Sequence, residues 1–242
     1  MAAVKACNIL ITGANRGLGL ETVKQLLEDS SQKRHIFATC RDPDGPKSEA
    51  LRELVKKHPT LIVVLLILDA DDPSSVRESA KKVGSLLGNN GLNLLVNNAA
   101  IMARGTIQTS SVEDMKNTFS TNEYLPYLQA ATKASGIPGM SCNKAAVINI
   151  STLGGIHCQN SMFNSNAMFT YQAGFNMLTV LAAEELKADE ILCMALHPRW
   201  VKTELAPLEP KDSVEGMLHV IGSLTEKQHG GFLDFTGETL PW

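Results

Sequence analysis

Apolar residues along the chain fall into short runs of strand length, separated by longer stretches in which they recur at helical spacing. The runs lie at 7–11, 35–40, 61–68, 92–96, 145–150 and 191–196, with a weaker one at 231–235. They are nearly continuous rather than alternating, the pattern of parallel strands covered on both faces. Amphipathic stretches at 18–28, 48–57, 73–87, 112–134, 171–187 and 213–221 predict helices between them. Pro73 follows Asp71 and Asp72, a first-turn proline behind an N-cap supplied by one of the two. The early strands begin about one strand–helix–strand unit, ~30 residues, apart. Alternation sustained over the whole chain predicts an α/β fold: a doubly wound, mostly parallel sheet of seven strands with helices on both faces, built as one domain over 1–242. Irregular connections are expected at 42–46, 135–144, 156–170 and 207–211.

Composition narrows the function classes. The 242 residues are 44% hydrophobic and 19% charged with a formal net charge of -3, which suits a packed core and offers no electrostatic footprint for nucleic acid or anionic lipid. The longest apolar run, at 61–68, falls far short of the ~20 residues needed to span a bilayer. Nothing at the N-terminus reads as a signal peptide. The five cysteines are odd in number and widely spaced, so they read as buried free thiols of a cytoplasmic protein. With no CxxC, no HExxH and no histidine cluster, no metal is expected. Asn149-Ile150-Ser151 matches a glycosylation acceptor, but it lies within a predicted buried strand and is set aside.

In an open α/β sheet, ligands sit beyond the carboxyl ends of the strands. After the first run comes Thr12-Gly13-Ala14-Asn15-Arg16-Gly17-Leu18-Gly19, leading directly into a helix. Glycines are needed where backbone turns sharply and approaches a pyrophosphate, and the helix N-terminus adds N–H donors and partial positive charge. The spacing differs from the GxGxxG fingerprint, yet its place between strand one and helix one points to a dinucleotide. The second run ends at Cys40-Arg41-Asp42. Arg16 and Arg41 together could clamp the extra phosphate of NADP, whereas Asp42 would suit the ribose hydroxyl of NAD or Arg41 a solvated surface; the balance favours NADP(H). Asp69, ending the third run, is placed to meet an adenine amino group. Asn97-Asn98-Ala99-Ala100, Ser151-Thr152 and His197-Pro198-Arg199-Trp200-Val201-Lys202-Thr203 end later strands, and Tyr171 opens a helix. The hydroxyls of Thr152 and Tyr171 are expected to meet a carbonyl beside a nicotinamide ring.

These segments together resemble the short-chain dehydrogenase/reductase family. Thr12–Gly19 is similar to its TGxxxGxG turn, Asn97–Ala100 to its NNAG, Ser151–Thr152 to its Ser-Ser strand end, and Pro198–Thr203 to its PGxVxT segment. Asn122 matches the family's helix asparagine. Within the family, stretches 37–43, 197–203 and 230–242 are similar to the C-factor and sniffer-like carbonyl reductases. The resemblance implies a Rossmann-like fold, NADP(H) as cofactor, a small carbonyl substrate and a homodimer. It assigns cofactor contacts to Gly13, Asn15, Arg16, Gly17, Leu18, Gly19, Arg41, Asp69, Asn97, Ala99, Pro198, Val201 and Thr203. It assigns the catalytic hydroxyl to Thr152 beside Ser151, the phenol to Tyr171 and the supporting amide to Asn122.

One member of that arrangement is missing. The family's lysine, four residues after its tyrosine, lowers the phenol pKa and holds the nicotinamide ribose, and Phe175 stands there. Tyr171 to Leu178 reads like Tyr-x-x-Ser-Lys-Ala-Ala-Leu-Asn-Met-Leu with three residues deleted. Such a loss turns the residues before it by about 300° relative to those after it, so either Tyr171 or the later packing face must shift. An unassisted phenol has a pKa near ~10 and is a poor acid at neutral pH. Arg199 at a family glycine and Ala100 in NNAG add two further departures in the same crevice. The expected protein is an NADPH-dependent reductase of aldehydes, ketones or quinones with impaired turnover, or a silent NADP-binding or partner-binding relative.

Overall fold

The computed structural model describes residues 4–29, 33–58, 62–69, 72–99, 123–152, 166–199 and 208–242, with backbone alone at 62–65 and 166–171. Strands β1 (Asn8–Thr12), β2 (His35–Cys40), β3 (Ile62–Ile67), β4 (Leu94–Asn97), β5 (Ala146–Ile150), β6 (Leu192–His197) and β7 (Phe232–Asp234) form one sheet in the order β3-β2-β1-β4-β5-β6-β7. Every neighbouring pair is parallel, as Leu10↔Phe37 and Leu10↔Leu95 illustrate on either side of β1. Helices α1 (Gly17–Glu28), α2 (Glu49–Lys57), α3 (Pro73–Leu87), α4 (Leu125–Ser135), α5 (Asn166–Leu186) and α6 (Pro210–Ser223) connect them.

Successive residues of a strand point to opposite faces, and here both faces are apolar. Ile9, Ile11, Ile36 and Ala38 pack with Val23 and Leu27 of α1, Leu51 of α2 and Met217 of α6. Leu10 and Phe37, the alternate positions, pack with Val83 of α3, Leu128 of α4 and Ala183 of α5. Two apolar layers explain the unbroken runs, since neither face of these strands meets water. Strand order reverses between β1 and β4, which opens the crevice expected at a doubly wound switch point.

Three helix boundaries differ from the pattern reading, each for a local reason. The stretch 112–134 was expected as one helix, but α4 begins only at Leu125, after a turn at Glu123–Tyr124. Pro126 has no N–H to give to the preceding turn and so sits in the first turn. Residues 166–170, expected to be irregular, open α5. Pro210 starts α6 inside the expected connection at 207–211, its fixed φ suiting a first turn. At α3 the expectation holds, with the Asp72 side chain accepting from Ser74 N at 2.8 Å and Pro73 next to it.

Among the described cysteines none is paired; Cys40, Cys142 and Cys193 are buried, whereas Cys7 is exposed and so departs from the expected burial. Cys158 lies outside the described residues. Burial pushes the thiols of Cys142 and Cys193 up to about 12. Iodoacetamide at pH near 8 should therefore label Cys7 in the native protein and Cys142 and Cys193 only after unfolding, as read by peptide mass spectrometry. Native labelling of Cys193 would contradict this packing.

Candidate functional site

The turn after β1 is built for close approach. Gly13 and Gly17 hold φ of 65° and 55°, where a side chain is strained. A Cβ on Gly13 would lie 3.0 Å from Ala99 Cα. On Gly19 it would fall on the Gly13 carbonyl and within 2.6 Å of Asn98 Nδ2. The turn is held by β4's end: Thr12 Oγ1 accepts from Asn98 N at 3.0 Å and Ala99 N at 2.8 Å, and Asn98 Nδ2 donates to Thr12 O at 2.9 Å. Asn98 therefore shapes the turn, a role that the polar pair in Asn97-Asn98 signals only in outline. Leu18 packs half-buried against the core, and the start of α1 has no side-chain cap.

Behind β2, hydrogen bonds sort the charged residues. Asn15 Nδ2 donates to Ser48 Oγ at 3.2 Å, and Ser48 Oγ donates to Asp42 O at 2.6 Å, lacing the glycine turn to the next loop. Asp42 Oδ1 accepts from Gly45 N at 2.8 Å, so its carboxylate is turned back onto its own loop. Arg16 and Arg41 are exposed, and Asp69 is half-buried with its backbone N–H on Ser75 Oγ.

A buried polar ladder crosses the crevice floor. Asn97 Nδ2 donates to Asn149 Oδ1 at 2.8 Å, Asn149 Nδ2 donates to Thr179 Oγ1 at 2.9 Å, and Thr179 Oγ1 donates to the Phe175 carbonyl at 2.9 Å. Ser151 Oγ meets Gln172 Oε1 at 3.0 Å and Asn176 Oδ1. A serine has one hydrogen, and Asn176 Nδ2 is buried with no acceptor. Turning the Asn176 amide lets Nδ2 donate to Ser151 Oγ, which then donates to Gln172 Oε1, so the one serine hydrogen serves both contacts. Gln172, Asn176 and Thr179 were not expected at the site, and Asn149 was noted only within a glycosylation match, although an asparagine inside the apolar run 145–150 was the available signal. Thr152 is half-buried at the same strand end. Asn122, Ala100, Val201, Lys202 and Thr203 lie outside the described residues, as does the Tyr171 side chain.

A model described as short chain dehydrogenase matches residues 7–213. The chain belongs to that family. Across 98% of its length and 100% of the other chain, it is 37% identical to the NADPH-bound carbonyl reductase from chicken fatty liver, with a TM-score of 0.86. It is 32% identical to the carbonyl reductase Sniffer of D. melanogaster over the same shares, again with a TM-score of 0.86. The C-signal protein of Myxococcus xanthus is 28% identical over 159 residues, 62% of this chain and 93% of that one.

Against the short chain dehydrogenase pattern, Arg199 stands for a glycine and keeps a glycine's backbone, with φ of 60°. Its guanidinium does not turn toward β5. Nε donates to Asp234 Oδ2 at 3.1 Å, Nη2 lies 3.7 Å from Glu238 Oε2, and the group sits 5.9 Å from the Phe235 ring centroid. The space and charge partner that an arginine needs are thus found beside β7. Pro198, next to it, accepts from Ser213 Oγ at 2.7 Å, tying β6's end to α6. Burial raises the Asp234 carboxyl, but hydrogen bonds from Thr236 and Glu238 N and the Arg199 charge bring it below the ordinary carboxylate range. Burial pushes His197, whose Nδ1 is 3.3 Å from Ser151 O, toward the neutral form.

A folded-state carboxyl below its unfolded value adds stability at neutral pH, lost as pH falls below ~3.9 through the folded pKa. Asp234→Asn should flatten that acid limb of the melting curve. Arg199→Ala keeps the backbone strain and loses the ion pair, whereas Arg199→Gly loses both. The glycine variant should be more stable than the alanine variant by about 1 kcal/mol in denaturant unfolding, and equal stability would refute the strain assigned here.

Proposed function

We propose that this single domain binds NADP(H) and is a carbonyl reductase-type oxidoreductase with weak turnover, acting on small aldehydes, ketones or quinones in the cytoplasm. The observation that carries it is the glycine turn, in which Gly13 and Gly17 hold positive φ and a Cβ on Gly13 or Gly19 would strike Ala99 or the Gly13 carbonyl, so that only glycines keep this tight turn at the head of α1. Those residues fit a pyrophosphate, with Asn15 and Leu18 in the same turn and Asn97, Ala99 and Pro198 at later strand ends; Val201 and Thr203, which the resemblance adds, lie outside the described residues. Preference for NADP over NAD is supported by Asp42, whose carboxylate is occupied by its own loop, while Arg41 and Arg16 stay exposed for a phosphate. Asp69 remains the candidate for the adenine. The buried unpaired thiols suit a reducing compartment. No helix among the described residues is long and apolar enough to cross a membrane.

When bound, the nicotinamide supplies the hydride. The chain must then place a carbonyl and give its oxygen a proton. Thr152, beside Ser151, offers a hydroxyl to that oxygen, with Asn122 in support. Of the three tyrosines, Tyr124 is buried on Ser79 with its phenol pushed up to about 12, and Tyr127 lies against Gly84. Tyr171, the tyrosine that the family resemblance points to, is the proton donor in this reading. Neither Phe175 nor any other residue of Asn166–Leu186 is a lysine or arginine. Buried Lys144 pairs with Glu190 at 2.6 Å just ahead of β5, at the amino-terminal end of the strands and away from the crevice at their carboxyl ends. Without an ammonium on this helix, the charge that draws a phenol below its ordinary ~10 is missing there, and the ~10²–10⁴-fold contribution of tuned acid catalysis is reduced. A homodimer would bury the exposed α5 stripe of Met177 and Leu181. The basic-residue-free helix also supports a second reading, a silent NADP-binding or partner-binding protein.

NADPH at 100-fold over its Kd should stabilise the fold by about 2.7 kcal/mol in a thermal melt, and Gly19→Ala should abolish the shift. Arg41→Ala should bring NADP affinity down to that of NAD; equal affinities in the unaltered chain would refute the phosphate clamp. Reduction of menadione should be slow and lost in Tyr171→Phe. Rapid turnover would refute impairment, and none at all would favour the silent reading.

A further inference from the structure

Helix α5 runs unbroken over Asn166–Leu186, and its sheet-facing stripe is defined by what its side chains touch. Gln172 and Asn176 meet Ser151, Thr179 meets Asn149, and Ala183 and Leu186 are buried in the apolar layer. These positions step by four, three, four and three, the repeat of one helical face. In the family pattern, the lysine precedes the asparagine of Asn-Met-Leu by four residues and the tyrosine precedes it by eight. Counting back from Asn176 along this helix, the lysine's place falls on Gln172 and the tyrosine's on Met168. Tyr171 is three residues on from that place, about 60° around the axis and ~4.5 Å along it. It shares its side of the helix with Phe175 and Leu178, which are half-buried.

We propose that Gln172 occupies the lysine's seat and acts as a positioning residue, a neutral amide that fixes the Ser151 hydroxyl. The three-residue loss therefore displaces Tyr171 and leaves the packing face behind it in place. Phe175 keeps only the lysine's spacing from Tyr171, not its seat. The ladder makes this register hard to change, because rotating α5 would orphan Asn149, Ser151 and Asn176 inside the fold. The consequence for catalysis rests on the NADP(H) reading, but the register does not.

Two rebuilt proteins separate the alternatives. Met168→Tyr with Gln172→Lys restores the pair on the sheet-facing stripe, whereas Phe175→Lys restores only the spacing after Tyr171. In the first, ultraviolet titration of tyrosinate should reveal a new phenol ~1–3 pH units below the ordinary ~10. NADPH-dependent reduction of 4-nitrobenzaldehyde should rise at least ~100-fold. The carbonyl carbon takes hydride from NADPH and its oxygen takes the phenol proton, giving alcohol and NADP, and solvent returns the proton to the tyrosinate. Phe175→Lys should do neither. Gain in Phe175→Lys alone, or in neither protein, overturns the assignment. A melt of the unaltered chain with NADPH runs alongside: no shift there defeats the cofactor reading, while the tyrosinate titration still decides the register. Should the double variant fail to fold, Gln172→Met and Ser151→Ala decide by coupling. Each should lower the Tm by roughly 2–4 °C and the pair by little more than one alone, and full additivity overturns the contact.

Discussion

The rotation of one helix about its own axis governs what this chain can do chemically. Asn97, Asn149 and Thr179 form a hydrogen-bonded line from β4 through β5 to α5, and Ser151 with Asn176 forms a second anchor beside it. Each such bond contributes only about 1 kcal/mol net, yet leaving a buried partner unmade costs about 1–3 kcal/mol. The asymmetry makes the ladder a register lock rather than a large source of stability. Whatever lies on the stripe facing Ser151 is set by counting from Asn176, and that residue is an amide.

A second constraint, independent of the first, preserves the cofactor cradle. Thr12 Oγ1 spends both of its lone pairs on the amides of Asn98 and Ala99, and Asn98 returns its own amide to the turn. Deleting residues within α5 leaves this arrangement untouched, because β1 and β4 hold it from the other side of the crevice. The fold can therefore keep a dinucleotide cradle whatever changes along α5. Arg199 fits the same picture: a glycine's backbone geometry persists under a charged side chain because Asp234, fully buried at the end of β7, compensates it.

Much of this was readable in the amino-acid order. Unbroken apolar runs identified the strands because both sheet faces are covered, and the glycine turn identified the crevice because glycine alone adopts that backbone without strain. Long-range pairings escaped. Asp42 offers the same carboxylate whether it faces a ribose or the Gly45 amide, and only the fold of its loop decides. Helix α5 was expected to open at Tyr171, yet it starts at Asn166, and that extension converts a gap in a motif into a change of seat. Asn149 stood out as a polar residue in an apolar run, but its partners lie in β4 and α5, far along the chain.

A crystal structure with NADPH bound tests the central claim most directly. The account predicts the Gln172 amide on the Ser151 hydroxyl and no lysine Nζ in contact with both the Tyr171 phenol oxygen and the nicotinamide ribose. A lysine ammonium bridging those two groups, from Lys202 or any other position, would contradict it.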